Sequence, residues 1–172
     1  IGNWRYVDSF SAIWVPEDEE YQSQTREVTL YMDDVKVPDA AQTTFSIGLD
    51  YKALKGLNIF ANYYYADNVY ADFDLANDNT FLTPGNQAWK LPSYGLVDAG
   101  IYYRFKLGGL DLTANVNVNN LLDEEYISES ESNILYDPED AEDAEIGENG
   151  SIYNIAYYGF GRTWNAGLKV RF

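Results

Sequence analysis

The sequence predicts an all-β fold, with about seven antiparallel strands forming part of a transmembrane β-barrel wall. Three observations carry that expectation. Apolar and polar residues alternate with period two through most of the chain, and helical spacing is hard to find. The alternating stretches run about 10 to 12 residues, the length a tilted strand needs to cross a bilayer. Their connections alternate between tight glycine turns and long polar loops, which gives a sheet one trim end and one ragged end.

The elements follow in order. Two early strands, roughly Trp4 to Val15 and Thr25 to Val37, show the pattern least clearly. "TFSIGLDY" sets Phe45, Ile47, Leu49 and Tyr51 against Ser46, Gly48 and Asp50. "LNIFANYYY" sets Leu57, Ile59, Ala61, Tyr63 and Tyr65 against Asn58 and Asn62, with Phe60 and Tyr64 intruding on the polar face. "VDAGIYYRF" places Val97, Ala99, Ile101, Tyr103 and Phe105 opposite Asp98, Gly100, Tyr102 and Arg104. "LDLTANVNVNNL" is the cleanest strand, with Leu110, Leu112, Ala114, Val116 and Val118 facing away from Asp111, Thr113, Asn115, Asn117 and Asn119. The closing "YYGFGRTWNAGLKVRF" carries its apolar face to a terminal Phe172, and Arg162 alone breaks the pattern. "ALKG" (Ala53 to Gly56) and "LGG" (Leu107 to Gly109) read as hairpin turns, and about Asp74 to Pro92 and about Leu122 to Ile155 as long loops.

Composition removes several function classes. With 28 Asp and Glu against 11 Lys and Arg the formal net charge is −17, which repels nucleic-acid phosphates and anionic lipid surfaces alike. There is no Cys and no His, so disulfide frameworks, imidazole zinc sites and Ser-His-Asp triads are absent from these residues. No apolar run approaches the length of a membrane-spanning helix. The start, "IGNWRYVDSF", lacks the basic and apolar regions of a secretory leader, and the chain is expected to be a processed product or part of a longer protein.

A soluble β-sandwich also gives alternating strands. Against it stand the strand length, a second face rich in Asn, Gly, Thr and charge as a wet lumen would be, and aromatic residues gathered near strand ends. If strand directions alternate from the C-terminus backward, Tyr51, Phe105 and Phe172 sit at the short-turn rim, and Phe45, Tyr65, Tyr158 and Phe160 toward the long-loop rim. Two aromatic girdles around an aliphatic band are the pattern of a lipid-facing barrel wall. Arg162, near the loop end, is placed to reach headgroups. A secreted carbohydrate-binding module and a passive outer-membrane porin are the alternative functions.

"VNVNNLLDEEYI" followed by "YGFGRTWNAGLKVRF" resembles the end of TonB-dependent outer-membrane receptors. The resemblance rests on Asn120, Leu121, Leu122, Asp123 and Tyr126, then Gly161, Arg162, Thr163, Trp164 and Phe172. "VPDAAQTTFSIGLDY" is similar to the family's entry into an earlier strand. "WKLPSYGLVDAGIYYRF" is similar to its K-L-P-x-Y/F-x-L-x-D motif through Lys90, Leu91, Pro92, Tyr94, Leu96 and Asp98. The style is closest to receptors of Bacteroidetes-type bacteria. What the resemblance implies is a barrel of 22 strands in the outer membrane of a Gram-negative bacterium, of which residues 1–172 would be the C-terminal part. It further implies a plug domain, earlier strands supplied by the rest of the protein, a TonB-type energy-transducing complex as partner, and active nutrient import without covalent chemistry. It also leaves room for a surface lipoprotein lid. An odd strand count agrees with a partial wall, because bacterial single-chain barrels have even numbers.

Site candidates are few. The acidic stretch Asp137 to Glu148 has the oxygen ligands calcium prefers but not the spacing of a calcium loop, and a solvated loop is the account the pattern favours. Trp89, Tyr94, Tyr64 and Tyr102 have the ring faces needed to stack on a sugar or contact a peptide, although wall packing also uses such residues. Asp98, Asp111, Arg104 and Lys169 are expected to look into the lumen. Phe172 is the expected assembly signal, on the resemblance.

Overall fold

The five clearest period-two segments form one antiparallel sheet in a computed structural model, which describes residues 1–15, 25–73, 75, 79–135 and 152–172. Among the described residues ten strands run in chain order: β1 (Phe10–Trp14), β2 (Arg26–Leu30), β3 (Thr43–Leu54), β4 (Leu57–Asp67), β5 (Asp72–Phe73), β6 (Tyr94–Leu107), β7 (Leu110–Asn119), β8 (Ile127–Leu135), β9 (Ile152–Tyr158) and β10 (Thr163–Arg171). The large sheet has five strands in the order β10-β7-β6-β4-β3. It is open, with β10 and β3 as its edges. Described by itself, this wall unit comprises residues 43–67, 92–126 and 158–172.

Register makes the two faces explicit. Tyr51, Ile59, Ile101, Val116 and Ala166 share one row, and Leu49, Ala61, Ala99, Val118 and Trp164 share another. This apolar face is bare: Leu49 is 68% exposed, Leu168 65% and Trp164 73%. A sandwich would have buried it, so water is not the medium that stabilises this sheet. At about 25 cal/mol per Å2 of apolar surface, moving such a face from water into lipid is strongly stabilising. Phe45 pairs with Tyr65 at one end, and Phe105 with Leu112 near the other, where Phe172 also stands. Phe45, Tyr65, Phe105 and Phe172 thus stand at strand ends where the alternation put them, whereas Tyr158 falls in β9 and Phe160 in the stretch before β10, because the closing strand starts at Thr163 rather than Tyr157.

The short turns behave as expected. Gly108 and Gly109 both take positive φ, 55° and 87°, the conformation a two-residue hairpin turn demands and glycine adopts without steric cost. They connect β6 to β7, and Lys55–Gly56 connects β3 to β4.

The second unit, from residues 1–42, 68–91 and 127–157, differs from the expectation. Among the described residues the count of about seven strands becomes ten, because β8 and most of β9 form in the stretch that read as the second long loop and β5 forms just before the first. β5 pairs parallel with β8, and β8 adjoins β9. "ISES" alternates Ser with Glu, so no apolar face announces β8. Its hydroxyls bond across instead: Ser128 Oγ donates to the Tyr157 carbonyl at 3.0 Å, and fully buried Ser130 to that of Ile155 at 2.6 Å. The two early strands are also shorter than expected and pair only with each other. Around them sit two small cores. One joins Leu30, Met32, Val35 and Phe81, with the Phe73 ring 4.6 Å from Phe81. The other joins Val69, Ala71 and Leu91, with Trp89 and Ile127 packed on it.

Candidate functional site

The polar face of the wall is graded from end to end. Nearest the short turns, Lys106, Asp111 and Arg171 share a row, and the next holds Arg104, Thr113 and Lys169. Asn58, Tyr102 and Asn115 follow. Beyond them come Gly100, Asn117 and Asn165 with Phe60, then Asn62 with Asp98. The middle is an amide band. Asn117 Nδ2 donates to Asn165 Oδ1 at 2.9 Å, Asn119 Nδ2 to Thr163 Oγ1 at 3.3 Å, and Asn58 Nδ2 to Asp50 at 3.1 Å. The two bonds between neutral side chains satisfy polar groups in pairs without adding charge, whereas Asn58 supports the Asp50 carboxylate. Gly100 is small for a reason: a Cβ there would lie 2.5 Å from the Phe60 ring and 2.6 Å from Asn117 Oδ1.

At the long-connection end a clamp ties the last strand to the β6–β7 hairpin. Asn120, 3% exposed and at φ 49°, takes the left-handed conformation that Asn tolerates. Its main-chain N–H donates to Asp98 Oδ1 at 2.9 Å. Its Nδ2 donates to the carbonyls of Glu124 at 2.9 Å and Phe160 at 3.3 Å, and its Oδ1 accepts the Glu124 N–H at 2.9 Å. Asp123 then receives the Arg162 N–H at 2.7 Å and its guanidinium at 3.1 Å. That backbone N–H, with the guanidinium charge beside it, holds the Asp123 carboxyl below the usual carboxylate range against some desolvation. Arg162 thus folds back on Asp123 and the Leu121 carbonyl rather than reaching out toward headgroups. Gly159 completes the clamp, since a Cβ there would run into the Tyr126 ring.

The four aromatic candidates do not converge. The Tyr94 ring lies tilted against Tyr126, centroids 4.5 Å apart, and stands 6.3 Å from Tyr64, so two of them meet at the long-connection end of the polar face. Tyr126, which the sequence offers only as a motif residue, is the third member of that group. Tyr102 lies near the other end, beneath the Arg104 guanidinium at 5.4 Å. Trp89 belongs to the other unit, packed against Val69, Ala71 and Leu91. Beside the clamp a recess of about 390 Å3 is lined by Asp123, Glu124, Glu125, Tyr158, Gly159 and Gly161. Asp98, Asp111, Arg104 and Lys169 all lie on the polar face, as alternation requires.

The acidic stretch 137–148, the calcium candidate, lies outside the described residues. Among the described residues no group of three acidic side chains is placed to hold a metal ion. In the second unit burial first, and then the charges of Asp72, Glu129 and Glu131, push the Asp39 carboxyl up.

A strand wall with a bare apolar face, aromatic rims and a polar, graded inner face defines a β-barrel membrane protein. Comparison with protein families agrees: the sequence model described as "TonB dependent receptor-like, beta-barrel" matches residues 2–121. The chain belongs to this family, whose members are transporters of the Gram-negative outer membrane and work with a plug domain and a TonB partner. No curated protein and no solved structure matches the chain. The family match stops before Asp123, so the clamp stands on its own geometry.

Proposed function

We propose that this chain forms the C-terminal part of a plugged barrel that imports a nutrient ligand actively, drawing energy from a TonB-type complex. Plug and earlier strands come from the rest of the receptor. The observation that carries the reading is the contrast between the faces of one sheet, with bare aliphatics outside and amides and charge inside. A secreted sugar-binding module would not leave Leu49, Trp164 and Leu168 uncovered. A passive porin has no use for a plug, which the family supplies. The ligand is a glycan, peptide, siderophore or vitamin, taken at the mouth, where the Tyr64 ring is half open beside Tyr94. The shared end motifs support a receptor of the Bacteroidetes-like kind, in which a lipoprotein lid over the mouth is a compatible partner. Phe172 stands at the short-turn rim as the residue that barrel assembly reads.

The test is fractionation and uptake with the intact receptor. Heat-modifiable migration from the outer-membrane fraction, with uptake lost when the energy transducer is deleted, is the expected result. Uptake that persists without the transducer would assign a passive pore, and a fully soluble protein would overturn the barrel itself.

A further inference from the structure

Three consecutive rows of the polar face each hold one glycine. Gly167 shares a row with Asn115, Tyr102 and Asn58, Gly100 shares one with Asn165, Asn117 and Phe60, and Gly48 shares one with Asn62 and Asp98. The glycine moves from β10 to β6 to β3 as the rows approach the long connections. Each glycine stands directly opposite an asparagine on the neighbouring strand: Gly167 opposite Asn115, Gly100 opposite Asn117 and Gly48 opposite Asn62. Rows on one face are about 6.7 Å apart along a strand, so the three span roughly 13 Å.

In every pair the amide lies down over the place where the glycine's side chain would be. A Cβ would come 2.7 Å from Asn115 Oδ1 at Gly167, 2.6 Å from Asn117 Oδ1 at Gly100 and 2.6 Å from Asn62 Oδ1 at Gly48. At Gly100 the Phe60 ring is just as near, at 2.5 Å. An asparagine that stood upright from the sheet would leave that space open. The arrangement has a cost, because glycine inside a strand weakens it relative to alanine. The carboxylates of these rows are engaged, Asp50 by Asn58 Nδ2 at 3.1 Å and Asp98 by the Asn120 N–H at 2.9 Å. Lys52 stands on the edge strand β3, outside the three pairs.

Resting on the import reading above, we infer that Gly48, Gly100 and Gly167 are positioning residues for transport. They let Asn62, Asn117, Asn115 and Phe60 lie flat, and so keep a low strip of amides clear for a polar ligand passing from the mouth to the short-turn end. The strip begins two residues from Tyr64, beside the mouth, and ends next to the row of Arg104, Thr113 and Lys169, so it is continuous with both ends of the face. Neutral amides suit a passage, because each hydrogen bond they offer is modest and exchangeable against water, whereas a charged lining holds an opposite charge more firmly. At Gly48 and Gly167 an added methyl group leaves the sheet intact, since the atom it meets is the free end of an asparagine on an open face. The amide swings up into the lumen instead.

Glycines also ease the bending of a barrel wall, and the two roles separate by experiment. The chain contains no Cys, so Thr113→Cys, just past the short-turn end of the strip, serves as a reporter in an intact receptor freed of any other thiol. The probe is a maleimide carried on a polyethylene glycol chain too long for porins, added to energised cells growing on complex medium, with a small maleimide as the control for thiol reactivity. Gly48→Ala/Gly167→Ala should slow labelling by the long reagent about tenfold, with small-maleimide labelling and heat-modifiable migration unchanged. Adding Asn62→Ala/Asn115→Ala, which removes the raised amides, should restore the parent rate. Should the alanine pair impair assembly, Gly167→Ala alone gives a smaller slowing of the same sign. Slowing that is not reversed when the two asparagines are removed would assign the glycines to wall curvature and overturn the inference. Labelling at the parent rate in every variant would overturn it too, as would a parent in which the long reagent never reaches Thr113→Cys. Long-reagent labelling of the parent that is indifferent to loss of the energy transducer would instead overturn the import reading.

Discussion

Replacing Asn120 tests whether the clamp stabilises the wall or merely decorates it. Asn120→Ala removes three side-chain hydrogen bonds, two to Glu124 and a longer one to Phe160. Valued at about 1 kcal/mol each, and less for the 3.3 Å contact, they sum to about 2.5 kcal/mol. The residue sits at φ 49°, where a Cβ without a compensating polar group costs about 1 kcal/mol more. Asn120→Ala should therefore destabilise by roughly 3 to 4 kcal/mol. Asn120→Gly loses the same bonds but escapes the left-handed penalty, and should fall roughly 1 kcal/mol short of that. The assay is folding of the intact receptor into phospholipid vesicles across a urea series, read by heat-modifiable migration. A shift of the midpoint by about 1 to 4 M for the Ala variant is expected from ordinary denaturant slopes. A change below about 0.5 kcal/mol, or Ala no worse than Gly, would refute the reasoning.

Other outcomes follow from the same structure. Phe172→Ser should lower the amount of assembled barrel, seen on gels of the outer-membrane fraction, while uptake per assembled receptor stays unchanged. Asp123 has a depressed carboxyl, so its stabilisation is present above the unfolded carboxylate value near 3.9 and is lost as pH falls through the lower folded value. Asp123→Asn should remove that acid-side loss of folding, followed between about pH 5 and 2. Asp39 has the opposite sign: its raised carboxyl makes the second unit less stable as pH climbs through the window above the unfolded value. Asp39→Asn, which tolerates the same φ of 58°, should slow proteolysis of that unit at neutral pH. Phe81→Ala, emptying a fully buried site against Met32 and Val35, should cost about 3 to 5 kcal/mol and open that unit to protease while the wall's gel migration holds.

What the sequence disclosed depended on whether a residue's role was tied to period. The wall strands were legible because lipid and lumen impose opposite chemistries on successive residues, and the register of Leu49 with Ala61 and Ala99 follows that alternation. Gly108–Gly109 was legible because only a tight turn needs two such residues. β8 was not, since backbone pairing and buried hydroxyls such as Ser130 leave no apolar signature. Nor were the small cores: Phe81 comes to Met32 across a long stretch of chain that no periodicity links. Of the ligand candidates, Tyr64 and Tyr94 meet because alternation and register put both on the polar face. Tyr102 shares that face but sits some eight residues further along β6. The gathering of cations near the short turns was present in the sequence as Lys and Arg flanking "ALKG" and "LGG", yet became visible only when register brought Arg104 and Lys169 into one row.

The open edges of the wall have a bearing on how it is made. Along the outer sides of β3 and β10, main-chain amides and carbonyls have no neighbouring strand among the described residues, and hydrocarbon charges several kcal/mol for each such group left unpaired. A half-built wall is therefore refused by the bilayer, whatever the greasiness of Leu49 or Trp164. Admission is all or nothing: the strands must find their neighbours before or while they enter, and a product of interrupted synthesis stays outside, within reach of periplasmic proteases. The bilayer itself acts as inspector, checking closure by a property that no side chain can counterfeit.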